Sequence, residues 1–290
     1  MQGDMRVVEH SSELGAWTML FASPDPRLRG YVESYGGYRE HGTAFYSRRE
    51  MPGGSVVVLL NFGDPLRITD TVGDSLAFGE CQGFVGALSD SYAVSETNGA
   101  QRGMHVMLTP FGARRLFGLP LHHLANRVVR LEDLLGSEIH ALLHRLRETR
   151  DWAARFALLD DLLLRRLRDA KSLPRDLLWA WRQLADSQGN MPIADLAARL
   201  DCSRKHLAAR FADEVGLGPK TIARIHRFQH AMGLISAADS VDWSDLALQA
   251  GYYDQAHLIR EFRALAGSAP GDFLRRRLPD HGGVIGDAGR

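Results

Sequence analysis

The sequence predicts an α+β protein of two domains: a β-rich N-terminal domain and an all-α C-terminal domain, joined by a helical region. Three observations predict this fold class. Short apolar runs punctuated by glycine precede residue 118, leucines recur at helical spacing between 131 and 168, and the last third contains an imperfect internal repeat. The predicted boundaries are 1–120 for the β-rich domain, 121–172 for the helical region, 173–279 for the helical domain and 280–290 for a flexible tail.

Composition places the chain among soluble globular proteins, with 45% hydrophobic and 24% charged residues. The formal net charge is zero, so any surface for nucleic acid must be a local one. The N-terminal stretch lacks the apolar segment of a signal peptide, and the longest aliphatic run, Val56 to Leu60, is far shorter than a membrane span of ~20 residues. We therefore expect a cytoplasmic protein without membrane contact.

The N-terminal strands are predicted from the apolar runs SVVVLLNF, LRIT, GFVGAL and HVMLT, whose short lengths and turn residues favour a sandwich or barrel. Pro110 suits the first turn of a helix. One amphipathic helix is predicted from Leu131 through Leu146 and a second from Trp152 to Arg168. Lys171–Pro174 then marks a boundary, because the residue before a proline is disfavoured in helical geometry.

The internal repeat lies in the last third of the chain. Asp195-Leu196-Ala197 recurs 50 residues later as Asp245-Leu246-Ala247. Four further residues recur with an offset of 51, namely Leu207, Phe211, Gly216 and Pro219 as Leu258, Phe262, Gly267 and Pro270. The second copy therefore holds one extra residue in its turn.

Each copy reads as a helix, a tight turn and a second helix. Ser203 and Asp254 are predicted to cap the second helix of each copy, because their side chains can accept a hydrogen bond from a first-turn N–H group. Between the copies, Pro219 to Ala237 predicts a helix of roughly 18 residues, about 27 Å long at ~1.5 Å per residue. Such a spacer is compatible with two helices entering successive major grooves about 34 Å apart.

The exposed faces of the two second helices mix small residues with Arg, Lys and His. With Leu and Phe inward, these faces hold Lys205, His206, Ala209 and Ala212 in the first unit, and Ala256, His257, Arg260 and Arg263 in the second. A solvated helix surface explains either face alone about as well as a major groove does, but two copies in register favour DNA. Between Arg199 and Arg227, seven basic residues stand against three acidic ones.

The segment from Pro192 to Arg277 resembles the DNA-binding domain of the AraC/XylS family of bacterial transcription regulators. The stretches that carry the resemblance are SRKHLAARFADEVGLGP and GYYDQAHLIREFRALAGSAPGDFLRRR, with Gly251, Gln255, Phe262-Arg263, Gly267, Pro270 and Phe273 in the family's order. The resemblance implies a sequence-specific transcription factor with double-stranded DNA and RNA polymerase as partners. Leu258 departs from the pattern, because an aromatic residue is frequent at that position.

The resemblance also implies which residues contact DNA. Base reading is expected from the starts of both second helices, and Arg260 is expected to reach a phosphate. The predicted DNA-contact residues are Arg204, Lys205, Ala208, Ala209, Gln255, Ala256, His257 and Arg260. Because the alanines offer no hydrogen bonds, the first unit is expected to read sequence more weakly than the second.

The N-terminal domain resembles, more loosely, the cupin-like sensor barrel of many family members. That resemblance implies modulation by a small molecule or a partner at this domain, and a homodimer contact through the helical region. Candidate pocket residues are Trp17, Tyr35, Tyr38, Tyr46 and His105, although a packed core would use the same residue types. His41, His105, His122 and His123 lack the spacing of a metal site, so neither a metal nor another cofactor is expected.

Two alternative functions remain open. One is an enzyme addressed to DNA, such as an alkyl-accepting repair protein, which needs an activated thiolate. Cys81 has no cysteine nearby and Cys202 lies in a turn, so we expect no enzymatic activity. The other is an architectural DNA-binding protein that responds to no ligand.

Overall fold

The computed structural model describes residues 5–12, 15–42, 46–97, 100–237, 240–276 and 284–285. Most of the strands lie in the N-terminal part, where they form two antiparallel sheets. The strands are β1 (Arg6–Ser12), β2 (Gly15–Ala22), β3 (Val32–Gly42), β4 (Tyr46–Glu50), β5 (Val56–Asn61), β6 (Leu66–Thr69), β7 (Ser75–Phe78), β8 (Gln82–Gly86), β9 (Ala93–Thr97), β10 (Ala100–Leu108), β11 (Val128–Arg130) and β12 (Val284–Ile285).

The larger sheet has the order β1-β2-β3-β10-β5-β8-β11, and the smaller has the order β12-β4-β9-β6-β7. Side-chain alternation gives the larger sheet two different faces. On β10, Met104, Val106 and Leu108 are buried beneath helices, whereas His105 and Met107 point towards the smaller sheet and line a cavity between the sheets. The predicted β-rich N-terminal domain is confirmed.

Helices follow from Pro110 onward. They are α1 (Pro110–Phe117), α2 (Leu131–Leu135), α3 (Ile139–Glu148), α4 (Trp152–Arg166), α5 (Arg175–Asp186), α6 (Ile193–Arg199), α7 (Arg204–Val215), α8 (Pro219–Ala237), α9 (Trp243–Gln249), α10 (Gln255–Ala266) and α11 (Pro270–Arg276). None of the helices among the described residues has the length and apolarity needed to cross a membrane.

The predicted single helix from Leu131 through Leu146 is wrong. Gly136 has φ +79° and separates α2 from α3, because this positive φ, which favours glycine, ends the first helix. The helix predicted from Trp152 is confirmed as α4, and Pro110 occupies the first turn of α1 as predicted.

One continuous buried cluster runs from the larger sheet through the connecting helices to the last helix, α11. Leu142, Leu143, Leu146, Leu159 and Leu163 all belong to it. Of the predicted tail 280–290, only Val284–Ile285 lies among the described residues, where it pairs with β4 as β12.

Candidate nucleic-acid interface

The first helix-turn-helix unit consists of α6 and α7. Ser203 caps α7, since its Oγ accepts a hydrogen bond from the backbone N–H of His206 at 3.1 Å. Leu196 on α6 and Leu207 and Phe211 on α7 are fully buried and hold the two helices together. The predicted cap and inward-facing residues are therefore confirmed.

The second unit, α9 and α10, repeats these contacts. Asp254 caps α10 by accepting from the His257 N–H at 2.7 Å, and Leu258 and Phe262 are fully buried. The turns share a hydrogen bond as well: the Cys202 N–H donates to the Ala197 carbonyl at 3.1 Å, and the Tyr252 N–H donates to the Ala247 carbonyl at 2.8 Å. The residue before each donor has positive φ, +48° at Asp201 and +80° at Gly251.

The extra residue of the second turn is Tyr253. Cys202 corresponds to Tyr252 and Ser203 to Asp254, so Tyr253 is the residue without a counterpart. Its side chain is 85% exposed, and its backbone N–H donates to Nδ1 of His257 at 3.3 Å. The insertion therefore adds an exposed aromatic ring at the start of α10 and orients a predicted base-reading residue.

Helix α8 lies between the units and contacts both. Its Arg224 forms an ion pair with Glu261 of α10 at 2.6 Å, and Phe228 packs edge-on against Phe262 with ring centroids 4.9 Å apart. The helix has 19 residues, which corresponds to about 28 Å at ~1.5 Å per residue. The predicted spacer helix is confirmed.

The predicted contact residues lie at the beginnings of α7 and α10. Arg204, Lys205, Ala209, Ala256 and Arg260 are exposed. Ala208, Gln255 and His257 are partly exposed. Four of the predicted contact residues thus lie on α7 of the first unit and four on α10 of the second. Their contacts with DNA stay a prediction.

The polar residues of the second set already have local partners. Oε1 of Gln255 accepts a hydrogen bond from Oγ of Ser244 at 3.3 Å. Because Nδ1 of His257 is an acceptor, its neutral ring carries the proton on Nε2. The His257 side chain can therefore donate a hydrogen bond to a base or a phosphate.

The local basic surplus is smaller than the sequence suggests. Arg210 is bonded to the carboxylate of Asp176 on α5, which holds the pKa of Asp176 below its usual range. Arg224 is paired with Glu261, and Arg227 donates to the Gly189 carbonyl at 2.6 Å. Of the seven basic residues between Arg199 and Arg227, the four exposed ones are Arg199, Arg204, Lys205 and Lys220.

An exposed apolar edge lies beside α10 and is not predicted by the sequence. Leu248 of α9 is 64% exposed and shares a surface hollow with Tyr253 and Ile259, next to Gln255 and Ala256. Helical spacing does not predict this edge, because in sequence an exposed leucine beside a turn cannot be told from a buried apolar residue of an amphipathic helix.

The β-rich domain contacts the opposite ends of the same two helices. Arg115 of α1 pairs with Glu214 of α7 at 2.6 Å, and Arg114 lies 3.4 Å from the Asp213 carboxylate. Arg49 of β4 donates to the Ala266 carbonyl at the end of α10 at 3.1 Å. Both helices are therefore held at their C-terminal ends while their N-terminal ends stay exposed.

A cavity of about 410 Å³ lies between the two sheets. Of the predicted pocket residues, Tyr38 and His105 line it. Tyr35 does not: it is buried on the opposite face and donates to Asp160 at 2.8 Å. Trp17 stacks on His10 with centroids 5.5 Å apart, and the side chain of Tyr46 lies outside the described residues.

The lining of this cavity includes residues from both parts of the chain. Met51, Pro52 and Gly53, which follow β4, line the cavity together with Gln229 of α8. A cavity in the β-rich domain therefore reaches the helix that connects the two helix-turn-helix units.

Both regions match known protein families. Residues 196–276 match a helix-turn-helix domain, and residues 21–130 match a domain of unknown function, DUF6597. No curated protein is significantly similar to the chain in sequence.

Solved structures that match the chain include ToxT from Vibrio cholerae, at 11% identity and a TM-score of 0.49, with 83% of this chain and 97% of ToxT covered. A ToxT structure with a bound unsaturated fatty acid has 12% identity and a TM-score of 0.46, covering 81% of this chain and 96% of ToxT. The match to YhaK from Escherichia coli has 12% identity and a TM-score of 0.25, and it covers 37% of this chain and 44% of the YhaK chain. The predicted resemblance is confirmed for residues 196–276, whose match is to an AraC-type helix-turn-helix domain, the DNA-binding domain of a transcription regulator; a β-rich domain precedes it.

Proposed function

We propose that this chain is a sequence-specific transcription factor in which α7 and α10 enter successive major grooves of double-stranded DNA. The observation that carries the proposal is the duplicated geometry, with two capped helices whose N-terminal ends are exposed and which are joined through α8. In this proposal residues 173–279 bind DNA and residues 1–120 form the sensor domain. Residues 121–172 connect these two domains. RNA polymerase is the proposed partner at promoters.

We further propose that a small molecule in the cavity between the sheets modulates DNA binding. The cavity volume of about 410 Å³ lies within the usual range for ligand sites. Because Gln229 lines the cavity, a ligand there could contact α8 directly. A purely architectural DNA-binding protein would have no use for this arrangement.

A DNA-addressed enzyme has less support. Burial raises the pKa of the Cys81 thiol, the opposite of what a nucleophilic cysteine needs. A homodimer remains part of the proposal. Most leucines of α3 and α4 pack within the chain, and Leu158 and Leu162 do so only in part, so their stripe offers little apolar surface to a second copy.

The decisive experiment selects duplexes from a random pool with the purified full chain and compares a selected duplex with a scrambled one by fluorescence anisotropy at moderate salt. We expect the selected duplex to bind at least 10³-fold more tightly, as roughly the lower bound for specific recognition. Arg168→Ala, an exposed arginine on the connecting segment, serves as the control and should bind like the unmodified chain. Equal affinity for the two duplexes would refute the proposal.

A further inference from the structure

The charges that line the cavity between the sheets already have partners. Arg48 donates from both terminal nitrogens to the carboxylate of Glu40, at 3.0 and 2.8 Å. The cavity's other arginine, Arg127, lies 4.0 Å from the carboxylate of Asp74. The charge of Arg48 is therefore neutralised, whereas Arg127, with 56% of its side chain exposed, offers an anion only a solvent-screened charge.

The cavity's other carboxylates are stabilised by hydrogen bonds from the protein. Asp70 accepts from the backbone N–H groups of Val72, Asp74 and Val128 at 3.0–3.2 Å. Glu50 accepts from Oγ of Ser95 at 2.6 Å. A ligand carboxylate would therefore enter a site with more acidic than basic groups, where the exposed Arg127 is the only cation of the described lining not held by a close ion pair, which is unfavourable in a partly desolvated cavity.

His105 offers a different kind of contact. It lies in the middle of β10 with its ring beside Gly36 and parallel to Tyr38, where a side chain on residue 36 would collide with the imidazole. Burial lowers the pKa of His105, so the ring is neutral at neutral pH. Within the described part of the chain, its nitrogens hydrogen-bond to no other residue, and a neutral imidazole has one donor and one acceptor for a ligand.

The rest of the lining is largely apolar. It includes Met19, Val57, Leu59, Leu66, Ile68, Phe84 and Met107 from both sheets. From this combination, and resting on the sensing role proposed above, we infer that the cavity takes uncharged ligands with an apolar body and a hydroxyl, carbonyl or amide group, and that it excludes carboxylates.

The test compares three probes with one carbon chain, namely octan-1-ol, octanoate and octylammonium, with the full-length protein at pH 8. Affinity is measured from the concentration dependence of the thermal midpoint, which follows the fraction of ligand-bound protein. We expect octan-1-ol to bind at least tenfold more tightly than octanoate, which meets the acidic surplus. We expect the same margin over octylammonium, because Glu40, Glu50 and Asp70 already accept hydrogen bonds from the protein and cannot repay the loss of hydration of an ammonium group. Tighter binding of octanoate or octylammonium, or no binding by octan-1-ol, would overturn the inference.

Two variants test the contact with His105. His105→Phe should weaken octan-1-ol by about three- to tenfold, the value of one hydrogen bond, whereas His105→Gln should retain most of the affinity because an amide keeps both hydrogen-bonding functions. His144→Phe makes the same change on an exposed face of α3 and should have no effect. Equal affinity of His105→Phe and the unmodified chain would contradict the assigned contact.

Measuring DNA affinity by fluorescence anisotropy with and without the same probes distinguishes a failure of this inference from a failure of the proposed function. If octan-1-ol binds as expected but leaves DNA affinity unchanged, the ligand class holds and the proposed modulation fails. If octanoate binds best and changes DNA affinity, the modulation holds and the ligand class is wrong.

Discussion

At the scale of single residues, the two DNA-facing helices differ in what they can read. Ala208 and Ala209 of α7 can only approach thymine methyl groups, whereas Gln255 and His257 of α10 can form hydrogen bonds with base edges. Sequence preference should therefore concentrate in the half-site that α10 contacts, and the first unit should contribute mainly affinity.

The first prediction contrasts two substitutions on α10. Arg260→Ala should weaken binding to all sequences alike and reduce the slope of log affinity against log salt by about 1, because one phosphate contact is lost. His257→Ala should cost about 1–3 kcal/mol, mainly at a single base pair. Anisotropy titrations over a salt series with single-base-pair variants of the selected duplex measure both. The reverse assignment, with His257→Ala acting uniformly, would contradict the predicted roles.

The second prediction concerns Tyr253. Its side chain is 85% exposed, so Tyr253→Ala should change the free energy of unfolding by no more than about 0.5 kcal/mol. The backbone N–H that donates to His257 is kept. If the ring contacts DNA, affinity should fall at least threefold in the same anisotropy assay, while Val72→Ala, an exposed apolar residue of the β-rich domain, should leave affinity unchanged. Unaltered affinity in Tyr253→Ala would place the ring outside the interface.

At the scale of secondary structure, the turn of the second unit depends on Gly251. Its φ of +80° is disfavoured for residues with a side chain, and a Cβ there would collide with Asn190. Gly251→Ala should therefore lower the free energy of unfolding by more than about 1 kcal/mol. Gly233, inside α8, has open space around it, so Gly233→Ala should raise it by about 0.5–1 kcal/mol. Urea denaturation measures both, and equal effects would refute the strained turn.

A fourth prediction follows from the Asp176–Arg210 pair, which joins α5 to α7. The hydrogen bond from Arg210 lowers the pKa of Asp176 from its ordinary 3.8, so the folded state favours the ionised form. The resulting stabilisation is present at pH values above 3.8 and is lost as the pH falls through the lowered pKa. Asp176→Asn should therefore be less stable than the unmodified chain at pH 6, with the difference shrinking towards pH 2 in urea denaturation. A difference independent of pH would exclude this linkage.

The sequence predicts local features of these elements well and distant ones poorly. The caps at Ser203 and Asp254 and the start of α1 at Pro110 depend on neighbouring residues, and all were predicted. The break at Gly136 was missed because the leucine spacing stays in phase across it. The partner of Arg210 lies 34 residues away on another helix, and no local pattern identifies it.

At the scale of the whole molecule, ion pairs and hydrogen bonds join the β-rich domain to the DNA-facing helices. The ion pairs of Arg114 and Arg115 join residues 99 positions apart, and Arg49 reaches across 217 positions to the end of α10. Contacts of this separation leave no periodic trace in the sequence. The cavity also could not be located in advance, because it depends on which strand faces turn towards each other.

The last prediction tests whether these contacts carry the ligand signal. If octan-1-ol in the cavity changes DNA affinity by some factor, DNA must change octan-1-ol affinity by the same factor, because the coupling free energy is shared. Replacing Asp213 with Asn and Glu214 with Gln removes both ion pairs to α1 without altering the cavity or the N-terminal ends of α7 and α10. We expect the double variant to bind octan-1-ol normally and to lose most of the coupling factor.

The coupling factor is the informative quantity because it is a ratio. Removing two negative charges should strengthen DNA binding with and without ligand alike, and that effect cancels when the two affinities are divided. The control, Asp186→Asn with Asp195→Asn, makes the same change in charge at two exposed positions of the helical domain and should retain full coupling. If the double variant at 213 and 214 couples as strongly as this control, the signal does not pass through α1, and the contact of Gln229 with the cavity becomes the only connection from ligand to α8 identified in the described residues.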